Sequence, residues 1–165
     1  MSAKELTQVR LKELVHYDKN TGRMVWIKPT STRVKVGDVV GSNDGRGYLQ
    51  TSIDGQRYRV HRLAWLWIYG VLPTNHIDHI DRNRANNRIT NLRDLPQALN
   101  NQNIGITNTN TSGFLGVSWS KAMKKWEARI SINNKGKVLG YFDRPEEASN
   151  TYQLAKKLHH EATVL

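Results

Sequence analysis

Cysteine is absent from the 165 residues of this chain. Neither disulfide bonds nor the usual cysteine-built structural zinc sites can therefore form, and we predict an intracellular, cytoplasmic setting. Long apolar runs are missing too, since no stretch approaches the roughly 18 residues of a membrane span. The charged N-terminal segment 1–14 has no signal-peptide core. These absences predict a soluble protein without a membrane partner.

Acidic residues are scarce, with 14 Asp and Glu against 25 Lys and Arg and a net charge of +11. The basic surplus is +5 in residues 1–60, +2 in 61–112 and +4 in 113–165, so it is not confined to one tail. A field of this size attracts polyanions. The sequence therefore favours an extended surface that binds nucleic acid.

The order of secondary-structure signals predicts an α+β protein. Hydrophobic spacing indicates a helix over 3–16, and the alternating segments of 24–61 indicate strands, with Asp54-Gly55 as a hairpin turn. We then expect a buried helix over 61–69 that stops at Gly70, a strand over 92–95 and a helix over 96–103 with Pro96 in its first turn.

The small, polar residues of 104–112 predict a linker. Three strands and a helix over 148–160 follow, with Asn133-Asn134-Lys135-Gly136 as one connection and an apolar helix stripe of Ala148, Tyr152, Ala155 and Leu158. The predicted organisation is an N-terminal helix and β region over 1–44, a central domain over 45–103, the linker, and a three-stranded antiparallel sheet packed on one helix over 113–165.

The central segment 75–103 concentrates chemistry rather than core residues. It combines His76, Asp78, His79 and Asp81 with many asparagines and arginines. Phosphodiester hydrolysis needs a hard divalent cation on oxygen ligands, a base that activates water, and positive groups that hold phosphate. This segment supplies all three residue types, and a histidine titrates near the pH at which such a base works.

Its motifs, Asp78-His79-Ile80-Asp81, Asn86-Asn87-Arg88, Asn91-Leu92-Arg93 and Asn100, resemble those of HNH homing endonucleases, which have the ββα-metal fold. The resemblance covers about 45–103, and more loosely the first 44 residues. It implies that His79 is the general base and that Asn91 braces the loop and orients the histidine. It also implies that Asp78 and Asn100 bind one divalent ion, Mg²⁺ or Mn²⁺. No small-molecule cofactor is expected.

We further predict that arginines of this segment hold the DNA backbone and that two polar residues support the site. The arginines are Arg82, Arg84, Arg88 and Arg93, and the supporting residues are His61 and Asn87. Without zinc-binding cysteines, stability must come from packing, with Trp65, Trp67, Ile68 and Leu92 as contributors.

Each motif residue also has a plainer interpretation. His79 taken alone could be a surface histidine, and His76 with His79 is a weak zinc pattern without a third ligand. The asparagines could be turn and cap residues. Because neighbouring strand residues point to opposite faces, Asp78 and His79 can share a site only if the strand ends or bends there.

Residues 112–161 resemble the apetala-like DNA-binding domain of plant ethylene-response factors. The resemblance is carried by Gly116-Val117, Trp119, Lys125-Trp126, Ala128-Arg129-Ile130, Leu139-Gly140-Tyr141-Phe142, Glu146-Glu147-Ala148 and Tyr152. It implies a sheet in the major groove with the helix behind it. The alternation of 125–132 places Trp126, Ala128 and Ile130 toward the helix and leaves Glu127, Arg129 and Ser131 on the open face.

On that open face Arg129 is the candidate for a guanine contact. Ser118, Ser120, Lys121, Lys124, Lys135 and Lys137 are candidates for phosphate or base contacts. For any one lysine, an ordinary solvated position is an equal alternative. Trp119 and Trp126 are expected in the core.

Together these patterns predict a metal-dependent endonuclease of double-stranded DNA, monomeric or homodimeric, whose site is chosen with help from the C-terminal domain. The resemblance implies a phage or prophage origin, and so a phage-infected or prophage-bearing bacterial cell. One alternative is a DNA-binding regulator without catalysis, although an intact set of Asp78, His79 and Asn100 argues against it. Another is an RNA-binding protein, disfavoured because no aromatic stacking platform is visible.

Overall fold

In the computed structural model the chain divides into two compact units, Met1–Leu95 and Pro96–Leu165. The structure describes residues 5–103, 105–107, 109–132 and 135–160, with the backbone alone at 98 and 102. The linker predicted at 104–112 lies within the second unit, and the predicted domain boundaries stay predictions. None of the helices in the described residues is long and apolar enough to cross a membrane.

The first unit begins with a short helix and a hairpin: α1 (Gln8–Leu14), β1 (Val15–Asp18) and β2 (Arg23–Trp26). The Thr7 side chain caps α1 by accepting a hydrogen bond from the Arg10 N–H. The helix predicted over 3–16 is shorter, because the chain becomes extended at Val15 and buries Val15 and Tyr17 on alternate positions. Residues 3 and 4 lie outside the described residues.

A three-stranded sheet follows, with β3 (Ser42–Asn43), β4 (Leu49–Ile53) and β5 (Gln56–Arg59) in the order β3-β4-β5. The predicted hairpin at Asp54-Gly55 is confirmed: both residues have positive φ, 49° and 79°, as a primed turn requires. Segment 34–41 is mostly turns and joins β2 through the Val25–Val39 bridge and through backbone hydrogen bonds, among them Val40 N–H to the Met24 carbonyl at 2.8 Å.

The predicted buried helix is α2 (Val60–Tyr69), which ends at Gly70 in a left-handed conformation. It supplies Val60, Leu63 and Leu66 to a core that α1, the hairpin, β4 and Leu92 complete. Trp65, Trp67 and Ile68 pack against this core partly buried, as predicted for a unit without zinc.

The segment with the nuclease motifs forms a ribbon of two antiparallel strands, β6 (His76–His79) and β7 (Leu92–Leu95). In the second unit the next element is α3 (Gln97–Asn100), followed by a 3₁₀ turn over Asn101–Asn103. The helix predicted over 96–103 is thus divided in two. Pro96 precedes α3 as its N-cap instead of lying in the first turn.

The second unit contains β8 (Val117–Ser120), β9 (Lys125–Ile132), β10 (Lys135–Phe142) and α4 (Pro145–His159). The strands form an antiparallel sheet in the order β10-β9-β8. Ala128 and Ile130 pack with Ala148 and Tyr152 of the helix in one core. A Cβ on Gly116 would come within 2.1 Å of the Tyr152 ring, so only glycine fits there.

Two predicted core positions of this unit are wrong. Leu158 is 79% exposed, and Lys156 is buried in its place on α4, because the buried stripe turns from Ala155 to the adjacent residue. Trp119 is 48% exposed and packs edge-to-face on Trp126, because it lies on the edge strand β8, which has a neighbouring strand on one side only. The connection predicted at 133–136 begins outside the described residues.

Candidate active site

The loop after β6 is braced by Asn91. Its backbone carbonyl accepts from the Ile80 N–H at 2.9 Å, and its Oδ1 accepts from the Asp81 N–H at 3.0 Å. Its Nδ2 donates to Asp81 Oδ1 and to the Asn86 carbonyl, both at 2.9 Å. One buried amide thus joins the two ends of the loop that follows His79.

His79 is the last residue of β6 and is buried, so the strand ends where the candidate base lies. Its Nε2 is 3.3 Å from Asn87 Oδ1. Because an amide oxygen can only accept, this contact requires the proton on Nε2 and leaves the basic lone pair on Nδ1. Asn87 is itself fixed, since Tyr17 Oη donates to its backbone carbonyl at 2.7 Å.

Two aromatic rings, those of His61 and Tyr48, pack against the ring of His79. The His61 and His79 rings meet edge-to-face at 5.1 Å, and the Tyr48 ring lies 5.4 Å from His61 and 5.9 Å from His79. His61 Nδ1 is buried and has no hydrogen-bond partner among the described residues. His61 therefore supports the site through packing.

Burial sets the charge of both histidines. It lowers the pKa of His79, because the opposing effects of the Asn87 hydrogen bond and of the carboxylates of Asp81 and Asp78 are weaker. Burial also lowers the pKa of His61 to about 3, with the neighbouring His79 adding to the effect. Both rings are neutral at physiological pH, and a neutral imidazole can accept a proton.

Two guanidinium groups flank the Tyr48 ring, that of Arg59 at 4.1 Å and that of Arg84 at 4.9 Å. Arg59 pairs with Asp44 at 3.3 Å, whereas Arg84 donates to the Arg46 carbonyl at 2.8 Å. A carbonyl does not neutralise a guanidinium, so Arg84 keeps its full charge close to the imidazole.

Asp78 lies opposite Arg93 in the β6–β7 register, and the two side chains form an ion pair through Asp78 Oδ2. Directly opposed residues share a face of the ribbon. Asp78 therefore lies on the Arg93 face, whereas His79 and Leu92 share the other face. The guanidinium holds the Asp78 carboxylate in a fixed orientation.

A divalent cation fits the chemistry of the predicted donors. The Asp78 carboxylate and the Asn100 amide are hard oxygen ligands of the kind Mg²⁺ and Mn²⁺ take. Asp78 belongs to the first unit and Asn100 to α3 of the second. Their roles as ligands stay predictions.

The remaining predicted arginines of the first unit lie in the exposed part of the loop. Arg82 adopts a left-handed conformation with φ 63°, and Arg88 is exposed just after Asn87. Sequence reasoning missed Tyr48 and Tyr17, which contact the site from 31 and 62 residues upstream of His79. No local motif marks either tyrosine.

In the second unit, β9 places its residues as predicted: Ala128 and Ile130 are buried, whereas Arg129 and Ser131 are exposed. The register pairs Lys137 with Ile130 and Lys135 with Ile132, which puts both lysines on the face that packs on α4. Lys121 and Lys124 are exposed in the turn between β8 and β9. DNA contacts from these residues stay predictions.

Residues 58–102 match the family described as HNH endonuclease, and this range contains the brace, the rings of His61 and His79, and the Asp78–Arg93 pair. The chain is also similar to Protein 3.8 of Escherichia phage T7, with 32% identity over 102 residues that cover 61% of this chain and 84% of that protein. No solved structure matches the chain. The chain belongs to the HNH endonuclease family and is a nuclease.

Proposed function

We propose that this nuclease hydrolyses phosphodiester bonds of double-stranded DNA with a divalent metal ion and with His79 as the general base. One observation carries the proposal: His79 is buried at the end of β6 with its Nε2 3.3 Å from Asn87 Oδ1, and burial lowers the pKa of the imidazole. A histidine in a polar surface loop would be solvated and free to rotate. This one is buried and oriented.

In the proposed reaction His79 Nδ1 takes a proton from a water molecule. The water oxygen forms a bond to phosphorus, and the bond between phosphorus and the 3′ oxygen breaks. The leaving oxygen is protonated from solvent, and the imidazolium returns its proton to solvent. A neutral base with its pKa below the working pH is ready for each turnover.

Positive side chains hold the scissile phosphate in this scheme. Arg84 packs on the Tyr48 ring next to His79, and its charge helps to lower the pKa of His79. Arg82 and Arg88 extend the charge along the exposed loop. Arg93 holds Asp78 through their ion pair on the ribbon face. Electrostatic attraction of this kind positions the backbone without reading sequence.

We assign Asp78 and Asn100 as the residues that hold the metal ion. The bound cation would polarise the phosphate and stabilise the negative charge of the leaving oxygen. Asn91 keeps the loop in place and does not contact the reacting atoms. The homing-type character rests on the resemblance in spacing between Asp78-His79, Asn91 and Asn100.

The second unit is proposed to bind DNA and to help choose the site, as in the ethylene-response-factor domains that it resembles. Its three-stranded sheet has α4 on one face, and Arg129 projects from the other with 60% of its side chain exposed. That exposed guanidinium is the candidate for base contact.

A plasmid assay tests the proposed function. Supercoiled DNA is incubated with the protein and Mg²⁺ or Mn²⁺, with and without chelator, beside His79→Ala and the control His76→Ala. His76 lies on the same strand but is exposed. We expect chelator and His79→Ala to abolish cleavage and His76→Ala to leave it unchanged. Intact plasmid with retained binding in a gel shift would instead indicate a DNA-binding regulator.

A further inference from the structure

A polar groove of about 730 Å³ lies in the first unit, and none of its lining residues belongs to the candidate active site. Its walls are the loop around residues 30–39 and the strands β3, β4 and β5. Hydroxyl, amide and guanidinium groups predominate, among them Thr30, Ser31, Arg33, Gln50, Ser52 and Arg57. Such a lining suits a polar, anionic ligand better than an apolar one.

The groove carries a net positive charge, because its two arginines outnumber the one carboxylate of its lining. Arg33 and Arg57 are both exposed, and neither has an ion-pair partner within the described part of the chain. The one carboxylate in the lining, Asp38, accepts a hydrogen bond from the Lys35 N–H at 2.8 Å. Two guanidinium groups are therefore available for an anion.

The same surface continues toward His79. The register pairs Ser52 with Arg57 and Gln50 with Arg59, so these residues share the face opposite the buried Ile53. Arg59 contacts the Tyr48 ring at 4.1 Å, and this ring lies 5.9 Å from that of His79. A strip of polar and basic groups thus joins the groove to the candidate base.

We propose that this groove and the adjoining strand face bind the phosphodiester backbone of duplex DNA flanking the bond that is cut. The inference rests on the proposed function and adds a second contact surface to it, apart from the arginines next to His79. Phosphate oxygens accept hydrogen bonds from guanidinium, hydroxyl and amide groups alike. The groove then sets affinity and register, and His79 performs the chemistry.

The test uses Arg33→Gln/Arg57→Gln in the full-length protein, with a fluorescent 40-base-pair duplex of arbitrary sequence as the probe. Affinity is measured by anisotropy over a series of NaCl concentrations, in chelator so that no cleavage occurs. Two lost phosphate contacts should lower the slope of log affinity against log salt by roughly 1.8 and weaken binding roughly ten- to a hundredfold. Turnover of saturating plasmid should not change.

Two control variants show whether the effect depends on the groove and on its charge. Lys12→Gln/Lys157→Gln removes the same charge from helix surfaces outside the groove, and it should keep the wild-type slope. Arg33→Lys/Arg57→Lys keeps both positive charges and should therefore also keep the wild-type slope. A glutamine variant with the wild-type slope, or a wild type without affinity for the duplex, would overturn the groove proposal. If Arg33→Gln/Arg57→Gln loses more of the salt slope with duplex RNA than with duplex DNA, the surface binds RNA instead.

The two proposals fail separately. If the wild type binds the duplex but metal ions produce no cleavage that depends on His79, the proposed function is wrong, whereas the salt slopes still decide the groove. If cleavage is normal and Arg33→Gln/Arg57→Gln has the same salt slope as the control Lys12→Gln/Lys157→Gln, the groove proposal alone is wrong.

Discussion

At the scale of single residues, the charge on His79 is decided by a competition. Burial disfavours the imidazolium, while Asn87 and the carboxylates of Asp81 and Asp78 favour it. The pKa of Asp81 is also subject to opposing effects. Burial raises this pKa, but hydrogen bonds from Asn86, the Asn83 N–H and Asn91 have the larger combined effect, so the pKa is lowered. Burial prevails at His79, so the ring is neutral when the carboxylates are ionised.

Asn87→Asp changes this balance in a defined direction. The new carboxylate keeps an oxygen acceptor beside Nε2 and adds a negative charge that stabilises the imidazolium, so the pKa of His79 should rise. In the proposed reaction, cleavage needs the neutral ring of His79. The acidic limb of the single-turnover rate against pH should therefore move to higher pH in the variant. An acidic limb at the wild-type position would contradict the contact between Asn87 and the base.

His61 gives a prediction for stability. Its pKa is about 3 in the folded protein and near 6.5 when unfolded, so the unfolded chain binds the extra proton between these values. The free energy of unfolding should therefore fall as pH drops below 6.5, by about 1.4 kcal/mol per pH unit from this group. His61→Phe retains a ring and should remove this part of the slope in urea titrations at pH 6, 5 and 4. An unchanged slope would show that His61 is not buried as a neutral ring.

The site could be predicted from sequence only where its chemistry is local. Asp78, His79 and Asn91 lie within fourteen residues and carry a recognisable pattern. Tyr48 and Tyr17 reach the same place through the tertiary fold, and a lone tyrosine gives no signal in the sequence. The Asp78–Arg93 pair follows from strand register, which the sequence leaves open until β6 and β7 are aligned.

At the scale of elements, the β1–β2 hairpin supports the catalytic loop from outside the family match. Tyr17 of β1 holds the Asn87 carbonyl. At the hairpin turn, a Cβ on Gly22 would lie 2.4 Å from the Arg88 backbone nitrogen. The first 44 residues therefore belong structurally to the unit that contains His79, and the hairpin reaches the proposed base through Asn87.

Gly22→Ala tests this support. Gly22 has φ 74°, and the added methyl would displace the backbone of residues 87 and 88. We expect a lower melting temperature and a cleavage rate that falls further than the loss of folded protein explains. Gly37→Ala is the matched control, because φ is 90° there but the Cβ meets open space. It should lose about 1–2 kcal/mol of stability from backbone strain alone and keep its rate per folded molecule. Equal effects of the two variants on that rate would refute a positioning role for the hairpin.

Elements with strong local signals were predicted well. The turn at Asp54-Gly55, the glycine end of α2 and the alternation in β9 each depend on a few neighbouring residues. The α1 boundary was not predicted, because Val15 fits the apolar spacing of a helix as well as the buried face of a strand. The predicted burial of Leu158 was wrong for a similar reason, since an apolar residue near a helix end need not contact the core.

At the scale of the whole molecule, basic charge runs through both compact units. The surplus is +5 in residues 1–60 and +4 in 113–165. Each range carries exposed arginines to which no part in the hydrolysis step is assigned. If both units bind DNA as proposed, contact by one unit raises the effective concentration of the other at the same duplex. Binding and cleavage can then be altered independently.

Arg129→Ala should change DNA binding without changing cleavage. The exposed side chain lies on the sheet face opposite α4, and loss of one base contact costs about 1–3 kcal/mol of discrimination. Selection of bound duplexes from a randomised pool should show relaxed preference at one position, while turnover at saturating DNA stays at the wild-type value. An unchanged preference would remove Arg129 from base recognition.

The central claim is that His79 acts as the base, and chemical rescue tests it most directly. His79→Gly should reduce single-turnover plasmid cleavage by roughly a hundredfold or more, and added imidazole should restore part of the rate in proportion to its neutral form. Cleavage by His79→Gly at the wild-type rate without imidazole would contradict the claim.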